Sequence, residues 1–160
     1  MPQDPHHSLR QHLIEVLKGG HAHATFEDAI KDLPAKLRGA KPESFPHSPW
    51  MLVEHIRIAQ WDILEFSRTS EHASPRWPEG YWPNTAEPAS AEAWNKSVEQ
   101  VKRDNSAMQD LINDPKTDLF TNIAWGDGQT ILRKALLLAD HNAYHVAQIV
   151  DVRRLLGDWK

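Results

Sequence analysis

His141 and His145 stand four residues apart in "LLLADHNAYHVAQIV", residues 136–150, inside an otherwise apolar run. Residues at that spacing lie one turn apart on one face of a helix, so two imidazoles can aim at a common point as paired metal ligands do. Alone, the pair is equally compatible with packed or solvated side chains. A third histidine shifts the balance. On a wheel of about 100° per residue, His55 falls at the centre of an apolar arc formed by Met51, Leu52, Ile56, Ile58, Ala59, Ile63 and Phe66. A neutral imidazole there is costly unless its nitrogens are paired. A backbone carbonyl or a carboxylate would serve, but three inward imidazoles on two long helices are more economically explained by one metal, with His55, His141 and His145 as ligands.

Three imidazoles leave positions open for water or substrate, the pattern of catalytic sites, whereas structural zinc is closed by four protein ligands. Imidazole suits zinc, nickel, iron and copper, so ligand type does not choose among them. The string "HNAYH" is not the zincin motif, because Asn142 stands where the catalytic Glu would be. Asp62 lies seven residues after His55 on the same face, about 10 Å along the axis, too far to share ligation. Its roles are to hold another ligand's second nitrogen, to pair a buried polar group, or to act as base; it is the one candidate catalytic residue. Gln148 extends the His141 row and Trp82 sits in an aromatic loop. Both are candidates for lining a substrate or cofactor pocket. His47 reads as a surface residue that could approach the mouth of the bundle. Histidines 6, 7, 12, 21, 23 and 72 fall at termini, breaks and loops, where solvent or helix-end hydrogen bonds cover them. Trp50, Trp61, Trp94 and Trp125 read as packing anchors.

The elements that must position these groups are helices. Ser8 is placed to cap a first helix carrying Leu9, Leu13, Val16 and Leu17, which the glycines at 19 and 20 stop or kink. A continuation carries Ala22, Phe26, Ala29, Ile30 and Leu33 up to Pro34, and "RGAKPESFPHSP" is a connector. A strong helical pattern runs from Pro49 to about Arg68, with Glu54, Arg57, Glu65 and Arg68 away from the buried arc. Residues 70–89 hold four prolines with Trp77, Tyr81 and Trp82 between them, the character of a lid or packed cover. Ser90 opens a helix with the stripe Trp94, Val98, Val101, Asn105, Met108 and Ile112. A second connector, "NDPKTDLFTNIAWGDGQT", leads to a last helix from about Thr130 to Leu156. Its polar arc is narrow, holding Arg133, Asp140, Asp151 and Arg154, so it must be covered on more than one side. A second copy of the chain would supply part of that cover, which argues for a homodimer.

Composition narrows the classes. The 160 residues fit a single domain, 1–160, with a sizeable core. There is no cysteine, so any thiol chemistry needs an external thiol. A net charge of −4 with scattered Lys and Arg argues against a nucleic-acid partner. No signal-like start or membrane-length apolar run is present, so a cytoplasmic protein is expected.

The strings "HSPWMLVEHIRIAQWDILEFSR", "WPEGYWP" and "WGDGQTILRKALLLADHNAYHVAQIVDVRRLLG", in that order, resemble the DinB superfamily of DinB/YfiT-like metalloenzymes over essentially the whole chain. The resemblance implies an all-α four-helix bundle of up-down-down-up topology, commonly a homodimer. It also implies a divalent metal on one His of the second helix and a His-x-x-x-His pair of the last, which fall here on His55, His141 and His145. Zinc or nickel is expected ahead of iron, manganese or cobalt. Some members are thiol-dependent transferases or isomerases in which the metal activates a low-molecular-weight thiol such as bacillithiol or mycothiol. Others, including the subgroup this chain looks most like, have no established reaction. The family often has Gly after the "YHV" segment, where this chain has Ala147 on the outer arc. Two readings follow: a metal-dependent transferase or hydrolase acting on a small molecule, or a non-catalytic dimeric binding or stress-response module with a structural or vestigial metal site.

Overall fold

The computed structural model describes residues 5–159. Among these residues there are five α-helices: α1 (His7–Lys18), α2 (Phe26–Ile30), α3 (Pro49–Arg68), α4 (Ala91–Asn113) and α5 (Ile131–Leu155). Single 3-10 turns occupy Ala35–Leu37 and Glu79–Tyr81, and the only extended pairing among the described residues is an isolated bridge between Asn122 and Thr130. The all-α expectation stands. The expected count of four does not, because what reads as a continuation of the first helix is a separate short helix behind a two-glycine break.

The sequence places most helix starts by capping. Ser48, Ser90 and Thr130 each accept a hydrogen bond from the backbone amide three residues on, at 3.2, 3.0 and 3.1 Å, and Pro49 fills the first turn of α3, where its missing N–H costs nothing. Thr25 and Asp28 form a reciprocal capping box that starts α2. Helix α1 differs from expectation: its N-cap is His6 with no side-chain cap, and Ser8 lies inside the helix. It ends at Gly19, whose φ of 72° is left-handed and suits glycine.

Side chains fix the directions of the helices. The Arg10 guanidinium of α1 donates to the Ile112 carbonyl near the end of α4 (2.7 Å), while Asn105, earlier on α4, donates to the Leu17 carbonyl near the end of α1 (3.1 Å); the two helices run opposite ways. Glu54 and Gln60 of α3 meet Ser97 and the Val101 carbonyl of α4 in the same order, so α3 and α4 run together. Helix α5 runs against α3, with Lys134 above the Phe66 ring at one end and His141 beside His55 further along. Arg153, near the end of α5, donates to the Ala29 and Lys31 carbonyls, both at 2.8 Å, and ties α2 down.

Two apolar clusters fill the interior. One gathers Trp50, Leu52, Ile56, Trp94, Val101 and Ile149. The other gathers Leu13, Ile63, Leu64, Met108, Ile112 and Leu138. On α3, α4 and α5 the change from one cluster to the other falls at residues 57–62, 102–107 and 139–145, and buried polar groups collect in that seam. Gln60 and Asn142 bond across it. No helix among the described residues is long and apolar enough to cross a membrane.

Two expectations about burial change. Glu54, placed away from the buried arc, is buried because Arg57 grips both its oxygens at 2.7 and 2.8 Å and Ser97 donates to it. Trp125 is no core anchor: it is 43% exposed, and its indole N–H caps the Phe66 carbonyl at 2.7 Å. Trp50 and Trp94 are buried and Trp61 is half-buried.

Candidate metal centre

The inward turn of α3 carries His55 to the border of the seam, where α5 brings His141 and His145 one turn apart. One ring nitrogen from each of the three lies within 4.8 Å of the others. His55 and His145 are 4% and 7% exposed. Neither Asp62 nor His47 belongs to the cluster.

The hydrogen bonds assign protons. The Tyr81 carbonyl, 2.7 Å from His55 Nδ1, can only accept, so Nδ1 carries the hydrogen and Nε2 presents its lone pair inward. The Gln148 amide oxygen does the same for His145, 2.6 Å from its Nδ1. His141 Nε2 lies 3.0 Å from His55 Nε2; since the latter is an acceptor, His141 donates. Its own Nδ1 is then a bare lone pair, buried and without a partner, and so is the Asn142 Oδ1. Two adjacent buried acceptors with no donor are costly.

That cost is the test of fit. A metal ion on Nε2 of all three rings would use the two lone pairs at His55 and His145 and would move the His141 proton to Nδ1. The Asn142 side chain favours the protonated His141 ring, and its unpartnered Oδ1 would be free to accept that proton. The residues therefore fit a divalent ion, and holding the second nitrogen by an oxygen acceptor is the usual way a metal-bound imidazole is oriented. Electrostatics agree. Burial pushes His141 and His145 down to about 4, with the neighbouring imidazoles acting in the same direction. Burial also lowers His55, opposed by the Tyr81 carbonyl. All three are neutral at physiological pH, the form that binds metal.

The loop of residues 70–89 covers the cluster. Trp82 lies flat on His55, with ring centroids 3.9 Å apart and planes 3° from parallel. His47 stacks on the other face of the indole at 4.2 Å and 10°. His47 is thus half-buried in a stack and not a surface residue, and its Nδ1 is buried without a partner. The far end of the loop is fixed too: Ser48 donates to the Ala86 carbonyl, and Gly39 packs so closely on Glu87 that a Cβ there would fall 2.3 Å from the Glu87 Cβ. Asp62 has one oxygen 2.8 Å from His72 Nε2 and the other 2.8 Å from the Tyr81 hydroxyl. His72, expected to be covered by solvent or a helix end, is instead buried against it. Ala147 is exposed on the outer side of α5.

Sequence reasoning gathers the three histidines but misses Tyr81, His72 and the stacked His47. The available signal was Asp62: a carboxylate on a buried arc requires donors, and the aromatic loop was the only nearby segment without periodicity to place its own. Comparison with known proteins adds the family. No curated protein and no solved structure matches the chain. A family model does, over residues 20–149, which include the three histidines, the covering loop and most of the bundle. The chain belongs to the DinB superfamily.

Proposed function

We propose that His55, His141 and His145 hold a divalent metal ion, zinc or nickel ahead of iron, manganese or cobalt, in a metal-dependent enzyme acting on a small molecule. The observation that carries this reading is a cluster of three neutral imidazoles with no fourth histidine or carboxylate ligand among the described residues. Such an ion, when bound, supplies a Lewis acid that lowers the pKa of a neighbouring water or thiol. The chain's own residues do the rest. The Tyr81 carbonyl and Gln148 fix the orientation of two ligands, and Trp82 shields one side from water. Asn142 stands where a zincin would place a base, and its Oδ1 is a buried acceptor without a donor. With no cysteine in the chain, a thiol-dependent S-transferase or isomerase reaction would take its sulfur from an external low-molecular-weight thiol.

The architecture belongs to the same reading. Helices α1, α3, α4 and α5 form one up-down-down-up four-helix domain over residues 1–160, with α2 as an addition, a course supported by the opposed α1/α4 and α3/α5 pairs and the parallel α3/α4 pair. The exposed Leu136, Leu137 and Tyr144 on α5 support a homodimer.

The second reading is a dimeric binding or stress-response module with a structural or vestigial metal site. The flat cover of Trp82 over His55 favours it, since it closes one approach to the cluster. Elemental analysis of the purified protein beside His55→Ala and His145→Ala variants tests both. Wild type is expected to carry near one equivalent of metal and the variants none. Equal metal in all three would sink the site. Metal without turnover across thiols and small electrophiles would leave the binding module standing.

A further inference from the structure

We propose that Asp62, Tyr81 and His72 are positioning residues that set His55 from outside the cluster, by clamping both ends of one loop segment onto a single carboxylate; the inference rests on the metal-centre reading. Asp62 lies two helical turns beyond His55 on the same face of α3 and touches none of the three imidazoles. Each of its oxygens has one partner in the loop: His72 at the start of the segment and the Tyr81 hydroxyl at its end, both at 2.8 Å. The side chains of His72 and Asp62 are 6% and 11% exposed, so water does not compete for these bonds. Fixing both ends removes most of the conformational freedom of the ten residues from 72 to 81.

The clamped end is the functional one. The backbone carbonyl of Tyr81 accepts the His55 Nδ1 hydrogen at 2.7 Å, and the next residue, Trp82, supplies the indole that lies flat on the same imidazole. One phenol–carboxylate bond therefore locates both the acceptor that chooses the His55 tautomer and the ring that holds its plane. Burial and the Asp62 hydrogen bond push the Tyr81 hydroxyl up to about 12, so the donor keeps its proton through any physiological pH. Lys134, whose ammonium sits 3.9 Å from the Phe66 ring centroid, is the cation facing Asp62 from α5. A carboxylate retained only to satisfy α3 would have needed none of this reach into the loop.

The test uses the full chain with Tyr81→Phe, which deletes the hydroxyl and leaves the ring and backbone, and with Asp62→Asn, which keeps the size. Two readouts are taken: zinc affinity by competition with a chromophoric chelator, and the His55 tautomer in the metal-free protein by long-range proton–nitrogen NMR. Wild-type His55 is expected as the Nδ1–H form. Tyr81→Phe should weaken zinc binding about tenfold, at the low end of changes to groups that hold a metal ligand, and should mix the tautomers. Tyr81→Phe with Asp62→Asn should be no worse than the worse single change, because both break one bond. Unchanged zinc affinity and an unchanged tautomer in a folded Tyr81→Phe protein would overturn the clamp. Should wild type bind no zinc, the metal-centre reading fails, and the tautomer alone decides the clamp: loss of the Nδ1–H form supports it and retention overturns it.

Discussion

Two buried polar groups face the same way on α3, seven residues apart, and their surroundings are opposite. At Asp62 both carboxylate oxygens have donors at 2.8 Å. At His55 the inward nitrogen meets another imidazole, His141 Nε2 at 3.0 Å, with the His145 ring against it and buried unpartnered atoms on His141 and Asn142 alongside. The first is how a protein normally buries polarity. The second has no structural justification of its own. Asp62 has its hydrogen bonds satisfied, whereas the histidine cluster has unpartnered buried atoms and three ring nitrogens close enough together to hold a metal ion.

The largest expected effects cross between the two groups. His55→Ala or His145→Ala should lower zinc affinity by more than about a hundredfold, beyond the usual range for outer-shell changes. His141→Gln should shift the metal-free stability by less than about 1 kcal/mol, since it removes an unsatisfied group. Asp62→Ala should do the reverse for stability, costing about 3 kcal/mol by stranding the Tyr81 hydroxyl and His72 in the interior. Urea unfolding of chelator-treated protein reads the stabilities. Equal destabilisation by His141→Gln and Asp62→Ala would erase the contrast.

How much of this the sequence could carry follows from where each residue sits. Periodicity turns His55, His141 and His145 inward because a helix face is a local property, repeated every 3.6 residues. The same logic gives α3 from Pro49, α4 from Ser90 and α5 from about Thr130. Glu54 escapes it, since its burial depends on Ser97 of another helix. Tyr81, His72 and His47 escape it because they act from loops, where partner and distance are set by tertiary packing. The Thr25–Asp28 capping box was present to be read; without it α2 passed for the tail of the first helix. The unplaced exposure of Trp125 has a similar cause: one indole N–H serving a helix-end carbonyl outweighs what its size suggests.

Acid should act on the histidine cluster. The His141 and His145 rings go from 6.5 when unfolded to about 4 when folded. The unfolded chain therefore binds protons first as pH falls, and stability decreases with it. Their contribution is fully present above pH 6.5 and is lost progressively as pH drops towards about 4. In metal-free protein the urea midpoint should fall between pH 7 and pH 5. In a His141→Gln, His145→Gln double variant that fall should shrink. An identical pH profile in the double variant would assign acid sensitivity elsewhere. Zinc occupancy should be lost across the same window, because protons and metal compete for the same nitrogens.

The smallest effect distinguishes the two oxygen acceptors. His55 is held by a backbone carbonyl inside a clamped loop, whereas His145 is held by Gln148, a half-buried side chain one turn along its own helix. Gln148→Leu removes that acceptor, but water can reach the vacated position, so zinc affinity should fall only about threefold, less than outer-shell changes usually cost. Gln148→Glu should move it the other way by a similar factor, because a carboxylate makes the imidazole a stronger base for the metal. Opposite signs at Gln148, beside a uniform loss at Tyr81, would separate an acceptor that tunes a ligand from one that positions it. Equal losses from both Gln148 substitutions would mean that His145 depends on the exact amide and is held as rigidly as His55.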